Sequence, residues 1–152
     1  MAEYGYTKGD FEVELPEPYL GGTIAAEIHE VGEDTPARII GINDDWVVEV
    51  DWTLTGSLQP FICGDWCVHV FLESIGPGRE FELELPKYVP VDPCGNGHYH
   101  AELKVPGGTI KTHECAVPYK VVTSVTYRTE CGKPGPIAGF VEGPIIQFYP
   151  EE

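Results

Sequence analysis

The run Asp45–Ile75 reads DWVVEVDWTLTG (45–56), SLQPFICGD (57–65) and WCVHVFLESI (66–75), and it decides the fold class. In its first part Trp46, Val48, Val50, Trp52 and Leu54 occupy every second position, with Val47, Glu49, Asp51 and Thr53 between them. Successive side chains of a strand point to opposite faces, so this spacing makes one apolar face and one mostly polar face. In the last part Trp66, Val68, Val70 and Leu72 repeat the pattern, opposite Cys67, His69, Phe71 and Glu73. Two tryptophan-bearing strands joined by a Pro/Gly-containing connection are expected at the centre of an antiparallel β core. In register, they would place Phe71 beside Val47.

Outward from this run the chain reads as further strands separated by turns. Upstream, Thr23–Val31 alternates loosely between Gly22 and Gly32, and Ala37–Ile42 is short and apolar. Downstream, Phe81, Leu83 and Leu85 alternate with Glu80, Glu82 and Glu84, three carboxylates expected on a solvated face. Lys87–Gly97 is expected to be irregular. His98–Val105 alternates strictly, with Tyr99, Ala101, Leu103 and Val105 inward. Thr109–Val117, the β-branched run Tyr119–Arg128, Ile137–Val141 and a last short strand at the C-terminus complete nine to eleven candidates. The 18 Gly and 14 Pro fall between these runs, which is the composition of many short strands and many turns. The expected fold is all-β, a two-sheet antiparallel sandwich, immunoglobulin-like or jelly-roll-like, with little or no helix.

The segment Gly97-His98-Tyr99-His100-Ala101 resembles the G-x-Y-x-C start of a late strand in immunoglobulin-like domains. There the tyrosine bonds back to the chain to form a corner. Ala101 stands where that pattern has cysteine, and Asp92 lies three residues early for its usual aspartate. The resemblance implies a sandwich and says nothing of activity.

At 152 residues the chain has the length of one domain, and folding should remove roughly two-thirds of its unfolded surface from water. Residues 1–22 are expected as an N-terminal arm or edge strand and 23–152 as a single sandwich. In the arm, Tyr4, Tyr6, Phe11, Val13 and Leu15 are candidate interface residues, because an unpaired edge offers a row of backbone donors and acceptors to a neighbour. Net charge is −16, from 25 acidic and 9 basic side chains. Such a surface repels phosphate backbones and anionic headgroups, which disfavours nucleic-acid and membrane partners. There is no EF-hand-type loop. No secretory signal pattern begins the chain and no run approaches 18 apolar residues, so a reducing, cytoplasmic location is expected, though a virion or exported assembly would read the same.

His98 and His100 are two apart on one strand, and His113 and Cys115 are two apart on the next candidate strand. If those strands pair, the four side chains form a His3Cys set suited to zinc. The H-x-H is similar to the cupin metal motif, but Glu102 follows His100 too closely and no second motif is present. A second cluster, Cys63-x3-Cys67-x-His69, is looser than zinc-knuckle spacing; a Cys63–Cys67 disulfide, or a pairing of either with Cys94 or Cys131, is an alternative, but these cysteines are expected free and buried. Five cysteines leave at least one unpaired within the chain. Nucleophile-elbow, phosphate-loop and dinucleotide motifs are missing, so no catalytic residue is assigned and catalysis is not expected. The reading that results is a non-catalytic structural or interaction module that binds itself or a protein partner through sheet edges and exposed apolar positions, as a homo-oligomer. The alternative is a metal- or small-molecule-binding β protein, an enzyme included, using the His/Cys cluster.

Overall fold

Alternation turns into burial along β4 (Trp46–Thr55), where Trp46, Val48, Val50, Trp52 and Leu54 are all withdrawn from water. The same holds for Trp66, Val68, Val70 and Leu72 of β5 (Gly64–Ser74) and for alternate residues of β8 (His98–Val105). The structure, a computed structural model, describes residues 5–13, 19–76, 80–83, 87–111 and 116–150. Within them lie ten strands, one 3₁₀ turn (Gln59–Phe61) and no α-helix. The other strands are β1 (Thr7–Val13), β2 (Gly21–Glu30), β3 (Ile39–Gly41), β6 (Phe81–Glu82), β7 (Lys87–Pro90), β9 (Val117–Thr129) and β10 (Pro134–Tyr149).

Hydrogen-bonded neighbours follow the order β6-β5-β9-β10-β1-β2-β4-β8, with β7 also on β5 and β3 on β10. Every pair is antiparallel except β3 with β10. Strand β1 joins the two arms of this path. Its first half pairs with β2, from Thr7↔Ala26 to Asp10↔Thr23, and its second half with β10, from Phe11↔Gly139 to Val13↔Ile137. At the free ends Lys87 Nζ donates to the Glu102 carbonyl at 3.2 Å, so the sheet is nearly closed into a barrel.

The two tryptophan strands are not neighbours, contrary to the expected central pair. β4 lies between β2 and β8, and β5 lies between β9 on one side and β6 and β7 on the other. Phe71 therefore faces Val122 and Glu82, not Val47. The physical reason is that both apolar faces bury against each other: Trp52 meets Trp66 edge-on at 6.1 Å across the core. Tyr99 stacks on Trp52 and Tyr127 meets Trp66, while Trp46 packs on Phe148 at the other end. Aromatic burial of this kind contributes more than area alone, by about 1 kcal/mol per pair.

Three other expectations change. The stretch from Lys87, expected irregular, opens with strand β7. The two short strands expected near the C-terminus are one strand of 16 residues, with register irregularities at Pro134/Ala138 and Glu142/Ile145. Of the Ala37–Ile42 run only Ile39–Gly41 pairs. The Tyr99 corner forms: its hydroxyl accepts from the Asp92 N–H at 3.1 Å and lies 3.4 Å from the Asp92 carbonyl.

Candidate functional site

Register places a grid of polar side chains on the outer face of β2, β4 and β8. Glu27 lies directly opposite Glu49, and Glu49 directly opposite Glu102, so three carboxylates form one row across three strands. The next row brings Asp51 beside His100, and the one after it Thr53 beside His98. His29 stands two residues beyond Glu27 on the same face of β2. Like charges directly opposite one another destabilise a sheet unless a cation or imidazolium relieves them.

The two halves of this face meet that demand differently. On the β8 side Asp51 is well supplied. Its Oδ1 lies 2.9 Å from His100 Nδ1 and 3.4 Å from His98 Nε2, and its Oδ2 accepts from the Tyr6 hydroxyl at 2.9 Å. Burial, then the bond to Asp51, pushes the Tyr6 phenol well above its ordinary range. On the β2 side Glu27 is only 8% exposed and lies opposite Glu49, and the positive groups that act on its carboxylate are His29 and Arg38. Burial, with Glu49 opposite, raises its carboxyl above the usual value. A carboxylate withdrawn from water beside a second carboxylate is costly, and a bound cation would offset that cost.

His29 supplies the complementary feature. Its Nδ1 lies 3.0 Å from the Glu30 carbonyl, which can only accept, so Nδ1 carries the proton and donates. Nε2 is then the atom turned toward Glu49, 3.2 Å from Oε1. A carbonyl holding one ring nitrogen while the other faces carboxylates is the usual outer-shell support of a metal-bound histidine. Two ligands of a tetrahedral ion at ~2.0–2.1 Å stand about 3.3 Å apart, close to this spacing. Burial alone would lower the His29 pKa; the bonds to Glu30 and Glu49 outweigh it and raise it.

Ligand atoms of Glu27, His29 and Glu49 lie within 4.8 Å of one another, and so do those of Glu49, His100 and Glu102. Glu49 is common to both sets. Of the expected ligands, His98 and His100 are exposed and turned onto Asp51, whereas His113 and Cys115 lie outside the described residues. Glu27, His29 and Glu49 were hidden in the sequence as fillers of polar faces; a signal existed in the acidic–x–His spacing of Glu27 and His29.

On the opposite arm Cys67 is buried, while Cys63, Cys94 and Cys131 are exposed free thiols, which corrects the expectation that these cysteines are buried. Among the arm residues, Tyr6 is engaged by Asp51 and Phe11 packs edge-on against Trp66 at 5.8 Å. The Val13 main chain pairs with Ile137; Tyr4 and Leu15 lie outside the described residues. Both edges of β1 thus have partners within the chain. No helix among the described residues is long and apolar enough to cross a membrane.

No family model matches this sequence, and no curated protein matches it either. Among solved structures, the fold is similar to the C-terminal domain of wzt, with a TM-score of 0.59 at 12% identity, covering 97% of this chain and 83% of that one. A second match, at a TM-score of 0.46 and 9% identity, is a β-glucosidase from Listeria innocua in complex with glucose; it covers 82% of this chain and 16% of that one. The first likeness concerns the all-β fold alone.

Proposed function

We propose that this chain is a non-catalytic binding module that holds a divalent cation through Glu27, His29 and Glu49 on the outer face of β2 and β4. The observation that carries the reading is the cluster itself: ligand atoms of Glu27, His29 and Glu49 lie within 4.8 Å of one another, with Glu27 only 8% exposed. One imidazole with two carboxylates suits zinc or manganese better than calcium, which prefers six to eight oxygens. Strand addition and shared core favour describing the domain as two packed antiparallel sheets of immunoglobulin-like type, an assignment supported by the β1 crossover and the Tyr99 corner.

Calorimetric titration of metal-free protein with zinc and with manganese chloride tests the reading. One ion per chain is expected for the native sequence and for His100→Ala. Glu49→Gln should remove binding. Uptake that survives Glu49→Gln would end the proposal, and loss in His100→Ala would move the ion to the Glu49–His100–Glu102 set.

A second reading, association with a protein partner, is favoured by Phe140 and Ile145 of β10 and Phe71 of β5, which stand exposed on the other arm. Sedimentation equilibrium should then show self-association that Phe140→Ser with Ile145→Ser weakens; a monomer at every concentration would remove self-assembly.

A further inference from the structure

On the outer face of the second arm, three side chains from β5 and β6 form a hydrogen-bonded chain that the cation site does not use. Cys67 Sγ lies 3.1 Å from His69 Nε2, and His69 Nδ1 lies 2.6 Å from Glu82 Oε1. Alternation puts Cys67 and His69 on one face of β5, and the short pairing Phe71↔Glu82 brings the carboxylate alongside. An ionised carboxylate only accepts, so Glu82 fixes the proton on Nδ1 and leaves the Nε2 lone pair facing the thiol. This is the order nucleophile, base, orienting carboxylate. Glu82 is therefore not the idle member of a solvated row that its sequence context suggests.

Cys67 is only 8% exposed, but it is among the residues that line a groove of about 350 Å³ between β7 and the β9–β10 turn. Tyr88, Thr126 and Arg128 also line it, and Arg128 is the only charged side chain on the wall among the described residues. The Arg128 guanidinium lies 4.9 Å from the centre of the Tyr88 ring and pairs with Asp65 at 3.7 Å. The main chain at Cys67 is engaged on both sides, by Tyr88 and by Thr126. Acyl transfer needs backbone donors aimed at an oxyanion, which this ladder position does not supply. Exchange with a disulfide needs only a thiolate and room for the reagent.

We propose that Cys67 is a His-activated thiol that exchanges with small, carboxylate-bearing disulfides entering this groove. His69 Nε2 takes the Sγ proton, and Glu82 stabilises the imidazolium. The thiolate attacks one sulfur of the reagent, a new Sγ–S bond forms and the reagent's own S–S bond breaks. The departing sulfur keeps the electron pair and takes the proton from His69 as a free thiol. The reagent is the oxidant, so the step balances with no further reactant. Cys67 ends as a mixed disulfide.

The test is timed exposure of the protein to oxidised glutathione and, separately, to neutral 2-hydroxyethyl disulfide at pH 7, with labelled sites mapped by peptide mass spectrometry. Cys67 should react at least tenfold faster in the native chain than in His69→Gln. Glu82→Gln, a positioning change, should slow Cys67 at least threefold, and Glu82→Asp, which keeps the carboxylate, should restore most of the rate. Arg128→Gln should slow glutathione disulfide at least threefold and leave the neutral reagent unchanged. Equal Cys67 rates in the native chain and His69→Gln, or labelling of other cysteines that leaves Cys67 unmodified, would overturn the activation. Equal slowing of both reagents in Arg128→Gln would overturn the substrate class.

Discussion

Glu27 concentrates the energetics of the proposed cation site in one side chain. Its carboxylate is buried opposite Glu49, so in metal-free protein it is a cost to folding. Replacing it with Gln keeps the shape and removes the charge. Glu27→Gln should raise metal-free stability by about 1 kcal/mol, read by urea denaturation in chelator, while abolishing the stabilisation that added zinc gives the native chain. Lower stability in chelator would mean that the carboxylate has a partner in solution.

The pH dependence follows from the same group and its neighbour. The folded state raises Glu27 above its ordinary 4.5, through burial first, and raises His29 above 6.5, because hydrogen bonds to Glu30 and Glu49 exceed the opposing effect of burial. Both groups hold protons more tightly folded than unfolded, so each favours folding most below its unfolded pKa and loses that contribution as pH rises through the folded one. In chelator, the advantage of Glu27→Gln over the native chain should therefore grow between pH 5 and pH 8. A constant difference across that range would contradict the shift.

At the scale of elements, β1 decides how the arms join. Gly9 lies in its middle, and a Cβ there would stand 2.1 Å from the Phe140 carbonyl oxygen. That atom belongs to the backbone of β10 and cannot rotate aside. Gly9→Ala should cost roughly 2 kcal/mol, measured by chemical denaturation, because the two strands must separate to admit the methyl group. A change under ~0.5 kcal/mol would show that β1 does not hold this position.

Strand faces were legible because burial on one side imposes period two: His98–Val105 alternates without exception in sequence and in structure. Neighbours were not legible, since alternation states which face a residue takes and not which strand lies beside it. Trp46–Leu54 and Trp66–Leu72 look like a hairpin for that reason, yet they meet through their faces. The candidate site suffers from the same gap. Glu27, His29 and Glu49 come together only through the β2–β4 register, and Glu82 reaches His69 only through the β5–β6 pairing. His98 and His100 were visible as a same-face pair, but their partner Asp51 is 49 residues away from His100 in the chain.

Across the whole molecule, the net charge of −16 and the two outer faces divide the work. One face gathers carboxylates and imidazoles, where the proposed cation would offset self-repulsion; the other presents a thiol–imidazole–carboxylate chain beside a groove and exposed aromatic and aliphatic side chains. The core between them holds three tryptophans from strands on opposite arms, a rigid support for both.

The most direct measurement of the central claim is anomalous diffraction at the zinc edge from crystals soaked in zinc chloride. One strong peak is expected among Glu27, His29 and Glu49, with metal–ligand distances of about 2.0–2.2 Å. A strong peak elsewhere with none at these three residues would contradict it.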